Sequence, residues 1–346
     1  MRTPGMFING IGTFLPETVT VDAAIAQGLC EAAEIETHEQ LGAAVAGTVP
    51  APDMALAAAR QAFDRCDLRP TDADLLLYAD TWHQGPDGWL PQSYLQRHLT
   101  GGAALAVEVG QGCNGMFGAM ELAASYLSAV PEKRLALLVA ADNYGTPLKD
   151  RWRIGPFILG DAASAVVLSK EPGFARLKSI RTIAVSGIEE AGRAGEPMFP
   201  PGPTIGRPVD FLARGRAFMR DPAARKSAAE RFALVNQRMK QIVDQALAEA
   251  EVALADIARI AFISVAREIM KQRGLAALGV PLEMSTWDFG RTIGHCGASD
   301  QILAIDHLLR TRQVGPGDHL LLMSSAPGIV LSCAVVQILE HPSWLS

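Results

Sequence analysis

Five cysteines in 346 residues, none in a CxxC spacing, are too few and too irregular for a disulfide framework or a zinc site. Cys30, Cys66, Cys113, Cys296 and Cys333 fit a reduced, cytoplasmic protein, with one of the five a candidate nucleophile. No metal site and no bound cofactor are expected. Long apolar runs are also missing. The most apolar helical stretch, 113–130, contains Asn114 and Glu121 and follows a Gly-rich turn, so it reads as a core helix and not a membrane span. The first twenty residues lack the pattern of a secretion signal, and MFINGIGTFLP reads as a short buried strand broken by Gly and Pro. Excess positive charge is absent as well. A net charge of −6 argues against a general nucleic-acid binder, which needs a clustered basic surface. Arg151 and Arg153, and the set Arg207, Arg214, Arg216 and Arg220, are local positives. They read as solvated surface or as contacts for a phosphate-bearing cofactor or carrier protein.

What is present is a globular chain read twice. Apolar residues make up 49% and charged residues 20%, which excludes a disordered chain. Helix-like and strand-like segments alternate, the pattern of layered α/β architecture. PDMALAAARQAFDR (52–65) has helical periodicity with Asp53 as a candidate N-cap. DADLLLYADT and RLALLVAAD carry fully apolar runs, as in buried strands. Between them stands ALAVEVGQGCNGMFGAMELAASYL, a strand, a Gly turn and a helix, and FILGDAASAVVLSK (157–170) reads as a Gly-interrupted hairpin or strand pair.

The second half repeats the order with LVNQRMKQIVDQALAEA, ARIAFISVA, TIGHCGASDQILAIDHLLR and GDHLLLMSSAPGIVLSCAVVQIL. Cys113 and Cys296 superpose the two Gly-flanked turns. Four elements recurring in one order predict a duplicated α/β unit, divided into 1–172, with Cys113, and 173–346, with His295 and Asp300. The Gly- and Pro-rich stretch 189–208 reads as a long excursion over an active-site entrance.

VEVGQGCNG carries the chemistry. A strand ends, glycines permit a sharp turn, and Cys113 opens a helix. Backbone N–H groups and the helix dipole there favour a thiolate and offer an oxyanion site. A buried structural cysteine fits the same residues equally well.

GQGCNGMFGAMELA resembles the active-site turn of the β-ketoacyl-acyl-carrier-protein synthase III group of the thiolase superfamily. The run ending in Gly160-Asp161-Ala162-Ala163-Ser164-Ala165 resembles that group's Gly-Asp-Gly-Ala-Gly-Ala hairpin, and GDHLLLMSSAPGIVLS its C-terminal Gly-rich loop. The resemblance implies a thiolase fold of two similar halves in five layers (α-β-α-β-α), a homodimer, and an acyl thioester on Cys113. It further implies oxyanion donors from Cys113 itself and from the loop Ser325-Ala326-Pro327-Gly328. Pro327 has no N–H, which leaves Ala326 or Gly328.

Two departures stand out. Carbon–carbon-forming members pair the cysteine with a His and an Asn. Here the His position falls on or near Ser264, and His295 stands in place of the Asn, with Asp300 five residues on. Cys113, His295 and Asp300 form a nucleophile–base–orienter set, although His295 and Asp300 also suit a polar cap on the following helix. The arrangement is similar to that of synthase-III-like enzymes of aromatic polyketide pathways that form esters or load starter units.

The expected activity is therefore acyl transfer from acyl-CoA or an acyl-carrier-protein phosphopantetheine thioester, through Cys113, to a hydroxyl of a polyketide or its sugar. The acyl group is short, an intact malonyl among the candidates. The rival readings are decarboxylative condensation or starter loading, and a non-catalytic partner subunit. His83 and Ser264 are pocket candidates, and Arg151, Arg153, Arg214 and Arg216 are candidate contacts for CoA or the carrier.

Overall fold

The computed structural model describes residues 1–36, 38–145, 150–200, 202 and 207–345. Residues 201 and 203–206 of the predicted excursion, and 146–149 of the run before Gly160, lie outside the described residues. Nine strands form one sheet in the order β5-β4-β6-β7-β1-β8-β11-β10-β9. They are β1 (Phe7–Phe14), β4 (Leu75–Ala79), β5 (Leu105–Val109), β6 (Leu135–Asp142), β7 (Ala162–Ser169), β8 (Ala175–Ala184), β9 (Ile257–Ala261), β10 (His319–Ala326) and β11 (Val330–Ile338). A small ribbon pairs β2 (Thr18–Thr20) with β3 (Gly42–Ala44).

The pairing repeats. β4 and β6 are parallel, and β6–β7 and β7–β1 are antiparallel. In the second half β9 and β10 are parallel, and β10–β11 and β11–β8 are antiparallel. The halves meet where β1 and β8 pair at only two positions, Phe7 with Arg176 and Ile8 with Ala175. Among the described residues, β5 has no counterpart in the second half.

Five layers follow from the period of two along each strand. On β4, Leu75, Leu77 and Ala79 face a central layer, whereas Leu76 and Tyr78 face outward onto α1 (Ala51–Asp64). On β10, Leu320 and Leu322 face the centre, while Leu321 and Met323 meet α4 (Ala228–Ala250) on the other outside. The central layer holds α2 (Gly115–Ala129) and α6 (Asp300–Arg310). Both faces of these strands are covered, so the sequence shows apolar runs and not alternation. Two shorter helices, α3 (Phe211–Phe218) and α5 (Trp287–Ile293), flank the site described below.

Two expectations are corrected. α1 begins at Ala51 with Pro50 at its cap, and Asp53 lies inside the first turn, accepting from the Tyr94 hydroxyl at 2.6 Å. Residues 157–170 are not a strand pair: only β7 forms, because its edges are taken by β6 and β1. Among the described residues no helix is long and apolar enough to cross a membrane.

α1 lies directly on β1. A Cβ at Gly12 would collide with the Ala58 carbonyl oxygen, and one at Gly10 with that of Ala62. Backbone cannot move aside as a side-chain end can. Gly12→Val is therefore expected to cost about 3 kcal/mol or more, the upper range for overpacking, read from the urea midpoint; a loss below about 1 kcal/mol would show that α1 does not depend on this contact.

Candidate active site

Cys113 sits in a short turn (Gly112–Asn114) between β5 and α2, at the positive end of the helix. The turn is held from both sides. The Asn114 amide donates to the Val330 carbonyl at 3.0 Å and to Ser332 Oγ at 2.9 Å, and Ser324 Oγ donates to the Cys113 carbonyl at 3.3 Å. The first-half turn is thus bound to the β10–β11 hairpin of the second half.

His295 arrives from the second half. α5 ends at Gly294, whose φ of +77° suits glycine, and a side chain there would press on the Ile158 carbonyl. This close crossing lets the His295 N–H donate to the Ile158 carbonyl at 2.7 Å, while the Gly160 N–H donates to the His295 carbonyl at 3.0 Å. The backbone of His295 is clamped before its side chain makes any contact.

The side chains then form a chain of contacts. Cys113 Sγ lies 2.9 Å from His295 Nε2, and His295 Nδ1 lies 2.7 Å from Asp300 Oδ2. His295 is 1% exposed and Asp300 3%. Asp300 Oδ2 also accepts from the Ser264 N–H, and Oδ1 from the Cys296 N–H, each at 2.7 Å. A carboxylate can only accept, so Nδ1 carries hydrogen and Nε2 is the nitrogen that exchanges a proton with the thiol.

Burial alone would lower the pKa of His295. The charge of Cys113, and after it that of Asp300, outweighs burial and holds the imidazole well above its ordinary value.

A cavity of about 210 Å³ opens over these groups. Tyr144, Phe157, Phe211, Phe262 and Ile263 line it, and no Lys or Arg is among its described lining residues. Phe157 sets its ring edge-on to His295 at 5.2 Å. Ala326 lines the cavity beside the Cys113 turn; Gly328, at the hairpin tip, is not among its lining residues. Sequence reasoning did not single out the aromatic wall, because its members come from segments far apart in the chain.

The other candidates fall elsewhere. His83 does not line this cavity; it bonds Glu108 Oε1 at 3.1 Å and the Pro86 carbonyl at 3.2 Å. Ser264 is buried with its hydroxyl against Gly290, and reaches the site only through its N–H on Asp300. Arg151 is no surface contact, since its guanidinium is inward and forms a two-point pair with Asp161 at 2.9 and 3.0 Å. Arg153 pairs with Glu34 and Asp150 on the surface. Arg216 stands 3.5 Å from Asp210 and lines an apolar recess on the outer side of α3. Arg214 lines a recess with Trp82, Gly112 and Pro327, where it donates to the Gly192 carbonyl at 3.1 Å and stands 3.6 Å from Glu196. Cys296 is fully buried, and burial pushes its thiol well above the ordinary range, which leaves it unreactive. Asp80, His83 and Glu108 gather outside the cavity.

Comparison with known proteins gives the family of the chain. Residues 107–184 match the family described as 3-oxoacyl-[acyl-carrier-protein] synthase III, and residues 247–338 match its C-terminal part. The chain is 54% identical to the acyltransferase ChlB3, covering 98% of this chain and 99% of that one with a TM-score of 0.92. It is 17% identical to 3-oxoacyl-[acyl-carrier-protein] synthase III of Aquifex aeolicus, covering 96% and 99% with a TM-score of 0.76. It is 15% identical to a variant of OleA from Xanthomonas campestris, covering 97% and 99% with a TM-score of 0.72. The last two show a shared fold.

The charge coupling between thiol and imidazole gives a direct expectation. In ¹⁵N NMR of histidine-labelled protein, His295 should stay protonated above its ordinary range, and alkylating Cys113 should move its titration to lower pH. An unchanged titration after alkylation would break the coupling.

Proposed function

Because the chain belongs to the 3-oxoacyl-[acyl-carrier-protein] synthase III family and shares its fold with condensing and acyl-transferring members, we propose that it is an acyltransferase forming esters in polyketide, antibiotic-type biosynthesis. The single observation that carries this reading is the contiguous Cys113–His295–Asp300 chain.

In the first half-reaction the Cys113 thiolate attacks the carbonyl of an acyl-CoA or acyl-carrier-protein thioester. The carbonyl oxygen takes the negative charge at the Cys113 N–H and a second donor from the 326–328 loop. Ala326, on the cavity wall, is the better placed of the two candidates. The tetrahedral adduct collapses, the C–S bond to the donor breaks, and the imidazolium supplies the proton for the departing thiol. In the second half-reaction an acceptor hydroxyl gives its proton to His295 Nε2 as its oxygen attacks the acyl carbon. The Cys113 thiolate leaves and the ester is released. Asp300 orients the ring and balances its charge throughout.

The wall of the cavity bears on the acyl group. A malonyl carboxylate would need a cation, and the described lining offers no Lys or Arg, only the His295 imidazole that the chemistry itself uses. The lining therefore favours an uncharged, apolar acyl group over intact malonyl. Decarboxylative condensation needs two donors on the enolate oxygen. His295 supplies one, but at the position where the resemblance puts the second, the Ser264 hydroxyl faces Gly290. A non-catalytic partner role would leave the ordered chain from thiol to carboxylate without use.

The exposed face of β5 supports a homodimer. As an edge strand it leaves Leu105 53% and Val107 40% exposed, next to the turn that carries Cys113. Arg214 is the remaining arginine candidate for the phosphates of the donor. The reaction belongs in the reducing cytoplasm, where Cys113 stays free.

Intact-protein mass spectrometry with a panel of thioesters tests this reading. Hexanoyl- or benzoyl-type donors should add their acyl mass to wild type and not to Cys113→Ala, and malonyl should load at least about tenfold less. Preferential loading of malonyl with carbon dioxide release would favour condensation, and labelling that survives Cys113→Ala would move the nucleophile elsewhere. Light scattering should give twice the 36.8 kDa chain mass; a monomer at micromolar concentration contradicts the dimer.

A further inference from the structure

The end of β4 and the loop after it bring three metal-binding side chains together away from the Cys113 cavity. Asp80 follows the last residue of β4, His83 stands in the loop, and Glu108 projects from the neighbouring strand β5. One nitrogen or oxygen from each lies within 4.8 Å of the other two. His83 Nδ1 is 3.1 Å from Glu108 Oε1, close to the roughly 3.3 Å between two ligands on a tetrahedral zinc ion. The other ring nitrogen, Nε2, faces the Pro86 carbonyl at 3.2 Å. A carbonyl and a carboxylate both only accept, so in the metal-free protein Nε2 donates to Pro86 and Nδ1 to Glu108, and a bound cation would take the place of the proton on Nδ1. Metal-bound imidazoles are oriented by this same outer contact.

Asp80 points to an occupant independently. It is 5% exposed, and its Oδ2 has no hydrogen-bond partner. Its neighbour Asp142 is already engaged by the N–H and hydroxyl of Thr81. Among the described residues, the ion pairs of this cluster comprise only His83 with Glu108. Two carboxyls thus share one half-buried site with a single imidazole, and no Lys or Arg is paired to them among the described residues.

We propose that Asp80, His83 and Glu108 bind one first-row divalent cation, with Zn²⁺ the best match to one imidazole and two carboxylates. The ion ties the 80–86 loop to β5. Thr81, within that loop, lines the acyl cavity and bonds the Tyr144 hydroxyl at 2.7 Å, so the ion steadies the cavity wall and takes no part in acyl transfer.

Cys113 and His295 could also take Zn²⁺, so the test uses full-length Cys113→Ala. Stripped with a chelator and titrated with Zn²⁺ by calorimetry, it should bind one equivalent, and its melting temperature should rise with the ion. Adding His83→Ala, at a partly exposed position, should weaken binding about hundredfold, and Asp80→Asn at least tenfold, with far-UV circular dichroism unchanged. Equal Zn²⁺ binding in both double variants, or none tighter than about 100 µM, would overturn the assignment.

Discussion

The Asp300 carboxylate is 3% exposed and accepts from three N–H groups, those of His295 Nδ1, Ser264 and Cys296. Burying such a charge costs several kcal/mol, and charge-assisted hydrogen bonds of about 1.5–3 kcal/mol each offset it. Each bond also fixes geometry. The Ser264 bond ties the carboxylate to the segment after β9, the Cys296 bond ties it to the second Gly turn, and the third sets the plane and tautomer of the imidazole. The position of Nε2 against the thiol is a consequence of this one carboxylate, itself at the start of α6 where the helix dipole favours negative charge.

The duplication explains why the parts meet. Each half carries a strand, a Gly turn and a central helix, and the two helices α2 and α6 share the middle layer. Their leading turns therefore come side by side, one bearing Cys113 and the other His295. Neither half holds a complete site. Sealed layers around this junction bury His295 and Asp300, which strengthens the coupling between imidazole and carboxylate. The cavity above it is largely apolar, which suits the apolar acyl group of the proposed reaction.

Much of this was legible in the residues. Apolar runs marked strands covered on both faces, the two Gly-flanked turns aligned Cys113 with Cys296, and the family resemblance singled out His295 beside the second turn. Asp300 followed from the role a histidine needs filled. Other features were not legible because they depend on pairs that the chain order hides. Arg151 looked like a free surface cation, yet Asp161, ten residues later, turns back on it across the loop. Ser264 contributes an N–H, which no side-chain pattern reports. Asp53 suited a helix cap, but Pro50 and Pro52 set the helix start and left Asp53 to Tyr94. The cavity wall joins Phe157, Phe211 and Phe262, about fifty residues apart in each step, and only the closed fold shows them as one surface.

The account rests on His295 acting as the base that frees Cys113 of its acyl group. Single-turnover transfer from pre-acylated enzyme to a hydroxyl acceptor, followed across pH in wild type and His295→Ala, tests it most directly. Wild-type transfer should rise with pH as the imidazole loses its proton. The variant should be about 10²–10⁴-fold slower and lose that dependence. A His295→Ala enzyme that transfers at the wild-type rate with the same pH profile would contradict the account.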